Sequence, residues 1–159
     1  MSQRVDDIVK RFRSLSDEVI AFVESLSDED WTRVCEWEQW TVGVTARHLG
    51  AGHFAIFSMT DMIVRGEELP QLTMDQVNEM SKEDARAHAD CTKEEALEYL
   101  RTNSARMAEF ISALSDDDLD RKSHMPAFGG EFTSEQFMEF IIFENAVQHF
   151  NSMKAAVAI

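Results

Sequence analysis

Apolar residues recur every three or four positions over most of the chain, the spacing by which an α-helix places them on one face. The first such segment runs from Val5 to Leu26, and charged residues fill its other face. A second segment extends from about Val42 to Arg65, with Thr41 as its N-cap and Gly66 just after its end. The pattern predicts two long amphipathic helices in the first half of the chain.

Three capping boxes of the Thr-x-x-Glu or Thr-x-x-Gln kind predict the later helix starts, because both side chains satisfy free backbone N–H groups. They begin at Thr73, Thr92 and Thr133. The first box predicts a short polar helix, and the second a third long helix from about Lys93 to Leu114. The last box predicts a fourth long helix that continues nearly to the end of the chain.

Four amphipathic helices without a convincing strand pattern predict an all-α fold, a four-helix bundle. The 159 residues are the size of a single domain, 1–159. The connection between the second and third helices, residues 66–92, is long for antiparallel neighbours. We therefore expect a crossover in which these two helices run parallel, with the short helix near Thr73 packed across the bundle.

The charge balance excludes some classes of partner. The chain has 30 acidic and 15 basic residues and a formal net charge of −15, which argues against binding to nucleic acid or to anionic membrane surfaces. Cys35 and Cys91 form no CxxC motif or disulfide framework. No apolar run is long enough for a membrane span, and the N-terminus is too charged for a signal peptide, so we expect a cytoplasmic protein.

One histidine of the second helix lies within the apolar stripe. His48 falls on the face shared by Val44, Ala55 and Met59. A buried imidazole must be hydrogen-bonded or ligated, because leaving it unsatisfied costs about 1–3 kcal/mol. Gly50 weakens the helix nearby, and its expected benefit is the close approach of another helix or a ligand.

The fourth helix offers a matching pair. Asn145 and His149 lie one turn apart on the face that points to the core, the i and i+4 spacing by which a helix presents two ligands to one metal. With His48 they predict a three-residue metal site. On an ideal α-helix, His53 is about 140° round from His48 and Glu144 about 100° from Asn145, so we expect both to point away from it.

Several segments resemble a known family. They are DEDW at 28–31, WTV at 40–42 followed by His48-Leu49, MPAFGGEFTSEQF at 125–137, and the last helix with His149 near its end. In these segments the chain resembles the DinB/YfiT-like superfamily of metalloenzymes. The tryptophan-rich segment before His48 is similar to the mycothiol-dependent maleylpyruvate isomerase branch.

The resemblance implies an up-down-down-up bundle that holds a divalent metal, zinc or nickel, between one histidine on the second helix and an H-x-x-x-H or E-x-x-x-H pair on the fourth. His48 and His149 match the first and last of these positions. Asn145 stands at the middle position, where the family has histidine or glutamate. A neutral amide is a weak zinc ligand, so we expect metal to be held weakly or not at all.

Two functions remain open from the sequence. The first is a metal-dependent thiol transferase or isomerase that acts on a small molecule with a low-molecular-weight thiol. The second is a non-catalytic bundle, degenerate at Asn145, that binds a small molecule or serves as a dimeric structural protein. The resemblance and the excess of aromatic residues on the fourth helix also predict a homodimer. These residues are Phe137, Phe140, Phe143 and Phe150.

Overall fold

The computed structural model describes residues 1–55 and 57–158, which form the four long helices of the expected up-down-down-up bundle. The first and third are uninterrupted α-helices that pack against each other. These are α1 (Gln3–Ser25) and α6 (Lys93–Ser112). The second and fourth helices each contain a π-helical segment. The second comprises α3 (Val42–His48), the π-helical segment Leu49–His53 and α4 (Phe57–Val64), and the fourth comprises α8 (Ser134–Met138), the π-helical segment Glu139–Asn145 and α9 (Ala146–Val157).

Within the described ranges, the connections carry three further α-helices. They are α2 (Asp28–Thr32), α5 (Met74–Ala87) and α7 (Asp116–Asp120). The capping boxes predicted at Thr73, Thr92 and Thr133 all form, with the threonine hydroxyl accepting from the backbone three residues later. The short helix predicted in the crossover is therefore α5. It buries little of its own surface and packs against the turn at Pro126–Phe128.

The π-helical segments correct the expectation of continuous α-helices. In the second helix, the backbone N–H of Phe54 donates to the carbonyl of Leu49, five residues earlier, at 2.9 Å. This wider turn gives up some of the hydrogen bonds of a regular α-helix. One replacement hydrogen bond comes from Asn103, whose side-chain amide donates to the carbonyl oxygen of Gly50 at 2.8 Å.

Gly50 also fixes how closely the second and third helices approach, as the sequence suggested. A Cβ atom at this position would lie 2.8 Å from the backbone nitrogen of Leu100. No side chain fits there without moving α6, because Cβ atoms do not approach backbone nitrogen so closely. The glycine therefore sets the separation of two helices beside His48.

A β-hairpin corrects the expectation that the chain has no strands. Strand β1 (Lys122–Met125) pairs antiparallel with β2 (Gly130–Thr133). Gly129 and Gly130 have positive φ angles of 81° and 105°, which the turn needs and which glycine adopts at little cost. The hairpin covers a second apolar cluster at one end of the bundle, formed by Ile63, Leu69, Met125, Ala127, Phe132 and Phe137.

The aromatic residues of the fourth helix are mostly used within the chain. Phe137, Phe143 and Phe150 are buried, whereas Phe140 is 36% exposed. Their number therefore does not require a partner subunit, and the homodimer stays a prediction that rests on the family resemblance. No helix in the described ranges combines the length and apolarity needed to cross a bilayer.

Candidate metal centre

Three histidines meet where the second and fourth helices approach each other. His48 ends α3, His53 ends the π-helical segment, and His149 lies in α9. One ring nitrogen from each lies within 4.8 Å of the others, and the Nε2 atoms of His48 and His53 are 3.1 Å apart. The imidazoles of His53 and His149 are buried, at 8% and 5% exposure.

His53 reaches this cluster because of the π-helical turn. On an ideal α-helix it would lie about 140° from His48, but a π-helix brings residues five apart onto neighbouring turns of one face. The expectation that His53 points away from His48 is therefore wrong. Its ring centroid is 4.9 Å from that of His48 and 5.0 Å from that of His149.

The ring of His53 is oriented by the fourth helix. Its Nδ1 lies 2.8 Å from the carbonyl oxygen of Ile141, inside the second π-helical segment. A carbonyl only accepts hydrogen bonds, so Nδ1 carries the proton and Nε2 keeps a lone pair. That lone pair is on the nitrogen that faces His48.

The ring of His149 is oriented by a buried carboxylate. Its Nδ1 lies 3.1 Å from Oε2 of Glu38, whose side chain is only 3% exposed. The other carboxylate oxygen accepts a hydrogen bond from the hydroxyl of Ser152 at 2.6 Å. In the neutral ring, donation from Nδ1 to the carboxylate places the lone pair on Nε2 of His149. Two of the three histidines thus have Nε2 free to act as a ligand.

The tryptophan-rich segment forms the turn that carries Glu38. The turn is closed by the backbone N–H of Cys35, which donates to the carbonyl of Trp40 at 2.7 Å. Gln39 adopts a φ angle of 61°, a left-handed conformation that costs a non-glycine residue free energy. Trp40 packs edge-on against His48, with 5.0 Å between ring centroids, and Trp37 lies 5.2 Å from His149. The strained turn therefore delivers a carboxylate and two indoles to the histidines.

The surroundings keep the imidazoles of His48 and His53 neutral. Burial lowers the pKa of His48 well below its usual value, and the nearby His53 and His149 add to the effect. Burial also lowers the pKa of His53 to about 4, a shift that the hydrogen bond to Ile141 partly opposes. A metal ligand must be an unprotonated imidazole, so both side chains are ready to bind at neutral pH.

The histidines open into a cavity of about 380 Å³. Asn145 lines it, and its side-chain amide makes no hydrogen bond to any described residue. Asn78 of α5 lines it too. The other lining residues are Trp37, Glu38, Trp40, Met74, Val77, Ser81, Lys82, Phe128, Phe140 and Ile141.

Comparison with known proteins places the chain in a family. A sequence model of the DinB superfamily matches residues 11–151. The chain belongs to the DinB superfamily. A comparison with curated proteins found no match.

Among solved structures, this DinB protein is similar to YfiT from Bacillus subtilis, at 15% sequence identity and a TM-score of 0.79. The match covers 99% of this chain and 89% of YfiT. YfiT is described as a probable metal-dependent hydrolase with an unusual four-helix bundle topology. At this identity the likeness supports the fold and nothing more.

The site of this DinB protein differs in part from the one expected. His48 and His149 come together, with 5.0 Å between ring centroids, and Asn145 lines the same cavity. His53 and Glu38 were not foreseen. A five-residue separation across two glycines is the only signal for His53, and the irregular tryptophan segment gives none for Glu38.

The donor set fits a divalent metal. Three imidazoles that face one point are ligands that zinc prefers, and nickel also binds imidazole. Two of the imidazoles direct their Nδ1–H to a carboxylate or a carbonyl, the arrangement that orients histidine ligands in metal sites. The cavity beside them leaves room for a further ligand.

Proposed function

We propose that this protein is a metal-dependent enzyme that acts on a small molecule, with His48, His53 and His149 as the metal ligands. The observation that carries the proposal is the convergence of three imidazoles that line one cavity, with Nδ1 of two of them engaged by Glu38 and Ile141. Without a metal, the 3.1 Å contact between the two Nε2 atoms would be a hydrogen bond donated by His48 to His53.

The third ligand is His53 rather than Asn145. An imidazole binds zinc or nickel more tightly than a neutral amide oxygen does, and His53 already has its Nε2 3.1 Å from that of His48. Asn145 then has a different role, because its amide lines the cavity and can hydrogen-bond a polar group of the substrate.

A metal bound here would supply Lewis acidity and lower the pKa of a nucleophile brought next to it. The chain itself holds the ligands in place and shields them from bulk water. Glu38 fixes the orientation of His149, and the indoles of Trp37 and Trp40 cover the histidines on one side. Asn145 orients the substrate.

The nucleophile comes from outside the chain, as water or as a low-molecular-weight thiol. Neither cysteine lines the cavity: Cys35 and Cys91 are buried elsewhere, and burial raises the pKa of both thiols. Hydrolysis is proposed by analogy, because YfiT is described as a probable metal-dependent hydrolase. Thiol transfer or isomerisation is supported by the resemblance of the tryptophan-rich segment to the maleylpyruvate isomerase branch.

Metal analysis of protein prepared without a polyhistidine tag tests the proposal. We expect about one zinc or nickel ion per chain after loading, binding that is lost in His53→Ala and retained in Asn145→Ala. If His53→Ala keeps full metal affinity and Asn145→Ala loses it, the third metal ligand is Asn145. Absence of binding in the wild type would favour the non-catalytic bundle.

The reaction class is tested on the loaded enzyme. A panel of small esters and amides measures hydrolysis, and a panel of small electrophiles with added thiol measures transfer. His149→Ala provides the control, because it removes one proposed ligand, and its far-UV circular dichroism must match that of the wild type. Activity that is equal in His149→Ala and the wild type would overturn a metal-dependent reaction.

A further inference from the structure

One wall of the cavity is a polar face of α5. Asn78, Ser81 and Lys82 are three and four residues apart, so they share one side of this helix, and all three line the cavity. The histidines and Asn145 line the same cavity from the second and fourth helices. A ligand in the cavity would therefore contact both α5 and the metal centre.

Lys82 is the available cation on this wall. Among the described lining residues, the charged side chains are Lys82 and Glu38, and Glu38 is held by His149 and Ser152. Lys82 has Glu79 as an ion-pair partner at 3.5 Å, and both side chains are more than half exposed. Such a pair contributes little, so the ammonium can turn to another anion.

Two neutral hydrogen-bonding groups accompany the ammonium. The side chains of Asn78 and Ser81 make no hydrogen bond to any residue in the described part of the chain. An amide, a hydroxyl and an ammonium on one helix face together offer several donors. A carboxylate accepts several hydrogen bonds at once, so its chemistry matches this wall.

The rest of the cavity suits an apolar body. Trp37, Trp40, Phe128 and Phe140 line it, and planar rings pack well on aromatic side chains. A volume of about 380 Å³ is sufficient for one small ligand. Because the chain carries a net charge of −15, an anionic ligand is repelled at long range and needs a local cation to be retained.

We infer that Asn78, Ser81 and Lys82 form an anion subsite, and that the substrate is a small carboxylate with a flat apolar body. The carboxylate binds at α5, and the reacting group points to the histidines. The orientation of the reacting group rests on the function proposed above, but the anion subsite does not, because it needs no metal.

The test uses two probes of nearly the same shape, phenylacetate and its neutral counterpart phenylacetamide. Each is titrated into metal-free protein at low salt, with quenching of tryptophan fluorescence as the signal, because Trp37 and Trp40 line the cavity. We expect the wild type to prefer phenylacetate by roughly three- to tenfold, and 1 M salt to reduce that preference.

Substitutions of Lys82 then locate the anion. Lys82→Gln should abolish the preference while leaving the affinity for phenylacetamide unchanged, and Lys82→Arg should keep most of it. Glu79→Gln should increase the preference slightly, because it removes the competing carboxylate. Lys10→Gln, a change of an exposed lysine on α1, is the matched control and should behave as the wild type.

Three results would overturn the subsite. They are no preference in the wild type, a preference that survives Lys82→Gln, and a preference that appears only after metal loading. The last result would place the carboxylate on the metal instead. Because the titration is done without metal, a failure of the proposed enzymatic function leaves this test readable.

Discussion

The Nε2 atoms of His48 and His53 lie 3.1 Å apart, although five residues separate the two side chains along one helix. Two nitrogens bound to one zinc ion at about 2.0–2.1 Å each lie at a similar separation. The pair also needs the π-helical turn, because a regular α-helix would turn His53 away. The π-helical turn therefore sets the two nitrogens at the separation that a shared zinc ion requires.

Moving the third ligand to the fourth helix should preserve metal binding. His53→Ala should weaken zinc and nickel binding strongly, because two imidazoles remain. Adding Asn145→His to that variant should restore much of the affinity, since Asn145 lines the same cavity one turn from His149. The measurement is competition titration against a chromophoric chelator. The single variant Asn145→Ala, in which His53 is intact, should bind zinc and nickel as the wild type does.

Glu38 should raise the metal affinity through its hydrogen bond to His149, without binding the metal itself. Glu38→Gln keeps a hydrogen-bond acceptor for His149 but removes the charge, so metal affinity should fall about 10- to 100-fold, the usual effect of losing such a partner. Glu36→Gln, an exposed change in the same segment, is the control. Equal affinities in the two variants would show that the carboxylate only fills space.

The two glycines of the π-helical segment Leu49–His53 should respond in opposite ways to substitution by alanine. Gly50→Ala should lower the free energy of unfolding by about 1–3 kcal/mol, because its Cβ would push against the backbone of Leu100. Among the described residues, a Cβ atom at Gly52 meets the ring of His48, at 3.6 Å, so Gly52→Ala should raise the free energy of unfolding by about 0.5–1 kcal/mol by reducing the freedom of the unfolded chain. Urea unfolding of the two variants checks this difference, and equal stabilities would contradict the packing.

Acid should destabilise the metal-free protein through His53. Its pKa is about 4 in the folded chain and about 6.5 when unfolded, so below pH 6.5 the unfolded chain binds more protons. This contribution is fully present above pH 6.5 and is lost as the pH falls through 4. It amounts to about 3 kcal/mol at most.

Urea unfolding of chelator-treated protein at pH 7.5, 5.5 and 4.5 measures the effect. Carboxylates and His48 also respond to acid, so the informative quantity is the difference from His53→Gln, which cannot titrate. The wild type should lose more stability than this variant between pH 6.5 and 4. Identical losses would mean that His53 is not held neutral by burial.

The fold was predictable where a local rule governs the chain. Helical periodicity defined α1 and α6, and threonine side chains at Thr73, Thr92 and Thr133 marked helix starts that the structure confirms. The sequence did not predict the hairpin at 122–133, because strands of four residues are too short to show the alternation of apolar and polar residues. Its pairing depends on the turn at Gly129 and Gly130 and on packing against residues far away in the sequence, such as Ile63.

The site was predictable only in its regular part. His48 and His149 follow from their places on apolar stripes, which regular helices preserve. His53 depends on a change of helical winding, and that change depends on contacts of Gly50 with Leu100 and Asn103 from another helix. Glu38 depends on the conformation of a non-periodic turn, in which Gln39 takes a left-handed angle that few sequences would suggest.

The π-helical segment between His48 and His53 shows that two ligands five residues apart can lie on one face of a helix. Removing one residue from it would leave the two histidines four apart, the familiar H-x-x-x-H spacing of a regular helix. The segment thus presents its ligands as that motif does, with one residue inserted. A search for paired ligands on a helix should accept a spacing of five where glycines lie between the two histidines, and should treat the inserted residue as part of the motif.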